Sequence, residues 1–335
     1  MSSEGAIIGC AEAHPNIALV KYWGKRDEKL NLPAVGSISV TLDALTTRTR
    51  VTFDPALRRD ELRLGGSEAD AARVSVCLDL LREKAGVGWC ARVESENDFP
   101  TGAGLASSAS GFAALVRAAD AALGLGLDEH ELSGIARRGS GSAARSIFGG
   151  YVEWPRGERP DGSDSVAHQL LPPGGWPLAV LVAITTRRSK PKGSSEGMKH
   201  TARTSPYWEA WVEGQEEDLA AARGAILRQD FEALAEVSER SCLKMHALMM
   251  ASSPGLLYWS GATVEAIHAI RGLRHEGVPV FFTVDAGPQV KAICLPEASD
   301  EVERALRGVG GVLEVIRSGI GDGARVTHAM PVVGD

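Results

Sequence analysis

The sequence has 335 residues, 44 % of them hydrophobic and 24 % charged, with a net charge of −7. That length exceeds what a single hydrophobic core usually serves, so two domains are expected, and the composition is that of a folded globular chain. The acidic balance argues against a general affinity for nucleic acid or anionic membrane, and no apolar run approaches a membrane span. The start, MSSEGAIIGCAEAHPN, has no basic region followed by a long apolar stretch, so no secretory leader is expected. Cysteines 10, 77, 90, 242 and 294 are odd in number and scattered without a C-x-x-C pair, which supports neither a disulfide framework nor a zinc site. A cytoplasmic location is expected.

In chain order, the short apolar run 17–20 ends in a knot of Lys21, Tyr22, Trp23, Lys25, Arg26 and Asp27. Ile38, Val40 and Leu42 alternate with serine and threonine, and Val51 and Phe53 with polar neighbours, which predicts half-buried strands. Residues 69–85 read as a helix with Ala72, Val76, Leu80 and Leu81 on one face, and 91–96 as a strand. The segment DFPTGAGLASSASG (98–111) is a glycine-serine loop feeding a helix whose apolar face carries Ala109, Phe112, Ala113, Leu115, Val116 and Ala119. Another helix is expected to start after Glu131, and 139–154 to form a loop, a short helix and a strand. The nearly unbroken apolar run 178–183 predicts a strand buried on both faces. Composition shifts over 185–195, TTRRSKPKGSS, and places the domain boundary there, giving domains 1–185 and 186–335. Helices are then expected over 208–227, 231–250 and 257–275, strands over 278–284 and 290–295, a helix near 301–306 and a last strand near 312–317.

Four of these segments carry chemistry. A glycine-rich loop opening a helix lets backbone approach a ligand and presents unpaired N–H groups at the positive end of a dipole, which suits phosphate; a plain glycine-rich turn is the alternative. It is neither a Walker A loop nor G-x-G-x-x-G. The knot at 21–27 offers cations beside a flat apolar wall, or else an edge strand charged for solubility. In GSGSAARS (139–146), Arg145 can grip carboxylate or phosphate through two parallel hydrogen bonds, though a capping serine and a surface arginine would look the same. Asp285 follows the apolar strand VPVFFTV in a DAGPQ turn and is either a reactive carboxylate or a turn residue. The cationic run Arg187, Arg188, Lys190 and Lys192 is a solvated face or a grip for a polyanion. His14 and the aromatic YWEAW at 207–211 read as structural.

Together, HPNIALVKYWGKRD, SISVTL, DFPTGAGLASSASGFAALV, ARRGSGSAARSIFGGYVEW, SSEGM and FTVDAGPQVK resemble, in order and spacing from about residue 11 to 295, the diphosphomevalonate decarboxylase family of the GHMP small-molecule kinase superfamily. The resemblance implies an α/β (α+β) GHMP-kinase-like fold of two domains. A twisted mixed sheet would carry the phosphate loop, helices would cover an antiparallel sheet in the second domain, and the active site would lie in the interdomain cleft of a homodimer. It implies ATP-dependent decarboxylation of mevalonate 5-diphosphate to isopentenyl diphosphate through 3-phosphorylation, with Mg²⁺ and no nucleic acid or membrane partner. On this resemblance Asp285, Lys21 and Arg145 are catalytic. Asn16, Tyr22, Trp23, Lys25, Arg73, Ser140, Ser142 and Arg145 bind substrate. Gly102, Ala103, Gly104, Leu105, Ala106, Ser107, Ser108 and Ser194 bind ATP, and Mg²⁺ rides on its phosphates with Ser107 or Ser108. The basic run at 187–192 would belong to a lid. Two positions depart from the family pattern: Gly36 stands where a polar residue is usual, and Gln289 where asparagine is. Both bear on how the substrate tail is held, so the rivals are a phosphomevalonate decarboxylase making isopentenyl phosphate, a kinase that stops at the 3-phosphate, and a silent relative that binds a phosphorylated ligand.

Overall fold

In the computed structural model, which describes residues 5–99, 107–188 and 192–328, the chain opens with β1 (Ile7–Ala13), β2 (Asn16–Val20), β3 (Lys25–Asp27), β4 (Leu32–Pro33), β5 (Ser37–Thr41) and β6 (Thr47–Asp54). Next come β7 (Glu61–Leu64), β8 (Ser67–Ala69), α1 (Ala72–Ala85), β9 (Cys90–Asn97), α2 (Ser107–Leu123), α3 (Glu129–Gly139) and α4 (Ala143–Ser146). They are followed by β10 (Tyr151–Trp154), β11 (His168–Leu171), β12 (Ala179–Ile184), α5 (Ser194–Thr204), α6 (Trp208–Glu213), α7 (Gln215–Arg228), α8 (Phe231–Met250) and α9 (Gly261–His275). The chain closes with β13 (Val280–Val284), β14 (Val290–Cys294), α10 (Ser299–Arg307), β15 (Glu314–Ser318) and β16 (Arg325–Thr327).

Among the described residues these strands form a sheet in the order β16-β1-β6-β9-β7-β8, a second β11-β10-β5-β2, a third β13-β14-β12-β15, and the small pair β3-β4. The first is mixed, because β7 runs parallel to β9 while its other pairs are antiparallel. Helices α1, α2 and α3 cover it, with Phe112, Leu115 and Val116 of α2 packed against Val51, Phe53 and Val93. The third sheet is antiparallel throughout. Its central strand β12 divides its side chains as a doubly buried strand must. Val180, Val182 and Ile184 join the core shared with the second sheet and α7 and α8, whereas Ala179, Leu181 and Ala183 join the core under α9 and α10.

The helix over 231–250 has the bounds read from the sequence, and Asp230 caps it by accepting from Ala233 N. Elsewhere caps and breaks shift the boundaries. Asp128 caps α3 through Glu131 N, so that helix starts earlier than the apolar pattern suggests. Gly214 splits the expected 208–227 helix into α6 and α7. Ser260 and Thr263 form a capping box, which leaves 257–260 outside α9. Strand β12 lies on the N-terminal side of the expected boundary at 185 yet pairs with β14 and β15, and β16 returns to pair with β1. We therefore propose a division before β12 rather than after it.

Candidate active site

Asp285 is the first residue after β13, and its carboxylate is clamped on both oxygens. Lys21 Nζ donates to Oδ1 at 2.6 Å, and Lys291 Nζ lies 3.1 Å from Oδ2. Lys21 sits just past the end of β2, where its backbone N–H donates to Ser241 Oγ of α8 at 2.9 Å and its Nζ also donates to Ala18 O at 2.8 Å. Both lysine side chains are 1 % exposed, whereas the Asp285 side chain is 26 % exposed, so the carboxylate alone of the three meets solvent. Burial by itself would raise the pKa of Asp285, but the charges and hydrogen bonds of Lys21 and Lys291 hold it well below the usual carboxylate range. Burial pushes Lys291 down, and Lys21 adds to that while Asp285 opposes it.

Arg145, on the one-turn helix α4, is buried and held by polar side chains of β2 and β5. Its Nε donates to Asn16 Oδ1 at 3.1 Å and Ser39 Oγ at 3.0 Å, its Nη2 to Asn16 Oδ1 at 3.0 Å and its Nη1 to Ser37 Oγ at 2.5 Å. Asn16 is itself oriented by donating to Ser146 Oγ at 2.7 Å and Ser142 O at 3.0 Å. Among the described residues three of the five guanidinium N–H groups are thereby engaged, and one hydrogen remains on each terminal nitrogen. Burial lowers the Arg145 pKa to about 10, with Asp285 and Tyr22 opposing, so it stays a cation. Ser37 and Ser39 are the polar face of the alternating SISVT strand, and that alternation is the signal by which they could have been found.

The glycine-serine segment after α3 brings further hydroxyls to the same place. Ser140 Oγ is 3.4 Å from Ser142 Oγ and 3.5 Å from Ser108 Oγ at the start of α2. Gly141 is required by close approach: a Cβ there would lie 2.7 Å from the Tyr22 hydroxyl. That hydroxyl is buried and has no hydrogen-bond partner among the described residues, and its pKa is raised by burial. Tyr22 packs edge-on to Trp154, whose ring also lies 5.8 Å under the Arg145 guanidinium.

At the periphery, Lys25 Nζ is 3.5 Å from Ser195 Oγ of α5, and its pKa is lowered by burial and by the neighbouring Arg73. Arg73 donates twice to Gly139 O, at 3.1 and 2.5 Å, and caps the end of α3 with its guanidinium over Phe112. Ser194 opens α5, next to the Lys25 contact. Trp23, expected among the substrate contacts, is 1 % exposed and packs with Met198, Trp211, Met245 and Tyr258, so its ring supports α5 instead of lining an open face. Gly102, Ala103, Gly104, Leu105, Ala106 and Lys190 lie outside the described residues.

The model of the diphosphomevalonate decarboxylase-like N-terminal domain matches residues 13–167, and that of the mevalonate 5-diphosphate decarboxylase C-terminal domain matches 180–319. The chain belongs to the diphosphomevalonate decarboxylase family. It is 37 % identical to the Bos taurus diphosphomevalonate decarboxylase, over 92 % of this chain and 82 % of the relative. The solved mevalonate diphosphate decarboxylase of Staphylococcus aureus is 38 % identical and superposes with a TM-score of 0.90, covering 97 % of this chain and 99 % of that one. A structure described as MDDEF in complex with MVAPP, AMPPCP and magnesium is 39 % identical with a TM-score of 0.89, covering 96 % and 99 %.

Within this decarboxylase family pattern the two departures have internal causes. A Cβ on Gly36 would come within 2.7 Å of Leu219 Cδ1 and 3.2 Å of Trp154 O, so the missing side chain makes room for α7. Gln289 is fully buried; its Oε1 accepts from Thr185 N at 2.6 Å and its Nε2 donates to Thr186 O at 2.6 Å. It ties the end of β12 to the Asp285 turn. Both positions are thus engaged by the protein's own packing and backbone. Lys291 is the functional candidate that sequence reasoning missed, because a lysine in a strand ordinarily reads as a solvated charge.

Proposed function

We propose that this chain catalyses the ATP-dependent decarboxylation of mevalonate 5-diphosphate to isopentenyl diphosphate, with ADP, phosphate and carbon dioxide released. The observation that carries the reading is the doubly clamped Asp285 carboxylate, brought by the fold into the field of a buried arginine that keeps two unused N–H groups. Asp285 orients the tertiary 3-hydroxyl and accepts its proton as the hydroxyl oxygen attacks the γ-phosphorus and ADP departs. The 3-phosphate is a far better leaving group than hydroxide. As the C3–O bond breaks, the C1–C2 bond supplies the electrons of the new C2=C3 bond and carbon dioxide is lost. Arg145 holds the C1 carboxylate with its remaining fork, and Lys21, Ser140 and Ser142 add charge and donors for phosphate.

Among the described residues no group of three His, Cys, Asp or Glu side chains could hold a metal. Ser107 and Ser108 at the start of α2 nonetheless fit a Mg²⁺ that arrives with a nucleotide, since that ion takes one or two protein oxygens beside phosphate and water. Bound there, Mg²⁺ would neutralise phosphate charge. The related complex with MVAPP, AMPPCP and magnesium supports Mg²⁺ as the ion that accompanies the nucleotide. The cytoplasmic location is supported by unpaired cysteines at 10, 77, 90, 242 and 294, and no helix among the described residues is long and apolar enough to cross a membrane. The homodimer rests on the family resemblance.

The monophosphate alternative drew its support from Gly36 and Gln289, and both are accounted for by packing. A coupled ADP-release assay with carbon dioxide detection, run on mevalonate 5-diphosphate and mevalonate 5-phosphate side by side, tests the reading. Turnover of the diphosphate with equal ADP and carbon dioxide is expected. Turnover of neither compound, or preference for the monophosphate, would overturn it.

A further inference from the structure

A structural ion pair needs one cation for one carboxylate, yet Asp285 has two, both buried. Among the described residues Lys291 Nζ finds Asp285 Oδ2 at 3.1 Å and Gln289 O at 3.3 Å, and Lys21 shares the same carboxylate. Burying a second ammonium with half a counter-ion is costly, so its retention calls for a role that one lysine cannot fill. We propose that Lys291 is a positioning residue of the reaction: by holding Oδ2 while Lys21 holds Oδ1, it fixes the plane of the Asp285 carboxylate and keeps that group ionised at the acid end of the working range. This rests on the reading above, in which Asp285 takes the proton of the 3-hydroxyl.

The other groups around Asp285 are accounted for. From α4 comes Arg145, which burial lowers only to about 10. From α8 come His246, which burial pushes down to about 3, and Cys242, which burial raises, so both are neutral near pH 7. The phenol of Tyr22, beyond Lys21, is neutral as well because burial raises its pKa. The charge on the carboxylate is therefore governed by the two lysines that touch it. With both oxygens engaged from the protein side, rotation about the Cβ–Cγ bond is blocked, and the exposed quarter of the side chain is what a substrate hydroxyl can reach.

The test compares wild type with Lys291→Met, Lys291→Gln and Lys291→Arg by pH profiles of kcat and kcat/KM on mevalonate 5-diphosphate. Removing a positive charge beside a carboxylate raises its pKa, so the acid limb of the Met and Gln profiles should move up by about one pH unit or more. Their kcat should fall at least about tenfold with the KM for ATP within about threefold, and Arg should restore the limb. A folded Met or Gln variant with the wild-type acid limb overturns the proposal. If neither folds, the wild-type carboxyl ¹³C signal that disappears in Asp285→Asn decides. Its titration midpoint should lie below that of an ordinary aspartate, about 3.9, and a midpoint at or above that value overturns the proposal. Wild type inactive on both mevalonate phosphates would refute the function, whereas an active wild type with an unmoved limb in the variants refutes only the role of Lys291.

Discussion

Replacing Arg145 by lysine separates charge from geometry. Arginine brings five N–H groups, and Asn16, Ser37 and Ser39 take three of them, leaving a pair for a carboxylate. Lysine has three, and the same three partners would absorb them all. Arg145→Lys thus keeps the positive charge but has no hydrogen bond left for the substrate. A charge-assisted hydrogen bond is worth about 1.5–3 kcal/mol and the variant loses both of the pair, so kcat/KM should fall by roughly 10²- to 10⁴-fold. Because the lost grip is on the group that leaves as carbon dioxide, phosphorylation should suffer less than decarboxylation. A quench-flow comparison of ADP with carbon dioxide should show the two in step for wild type and ADP running ahead for the variant. Melting curves on both proteins separate this from general unfolding. A kcat/KM within threefold of wild type would mean that Arg145 serves only to brace β2 against β5.

Asp285→Asn keeps the size of the side chain and removes the base. Turnover should fall by about 10²–10⁴, as expected for loss of a general base, while calorimetry shows ATP binding within about threefold of wild type; near-normal turnover would take Asp285 out of the proton transfer. Gly36→Ser should destabilise by about 1–3 kcal/mol through its crowding of Leu219, and Gln289→Asn by a similar amount because the shorter amide cannot span to the Thr185 and Thr186 backbone. Denaturant midpoints should fall in both, with the ratio of diphosphate to monophosphate turnover unchanged. A swing in that ratio would return these positions to substrate recognition.

Features whose cause lies within a few residues were legible in the sequence. The unbroken apolar run at β12 announced a strand covered on both sides, and the two cores divide its side chains between them. The apolar spacing over 231–250 marked α8 at both ends. The motif set identified the family, and with it Asp285, Lys21 and Arg145. Other elements were invisible because their local signals are weak: β1 is built of small residues such as Gly9, Cys10 and Ala11, and β16 is a short, largely exposed strand at the edge of the first sheet beside β1. Local pattern also grouped β12 with the strands before it, whereas its sheet partners β14 and β15 lie more than a hundred residues further on. The second lysine on Asp285, the spending of Gln289 on backbone and the burial of Trp23 belong to tertiary structure alone. Each depends on what the folded chain brings within a few ångströms, and a linear pattern carries no record of that distance.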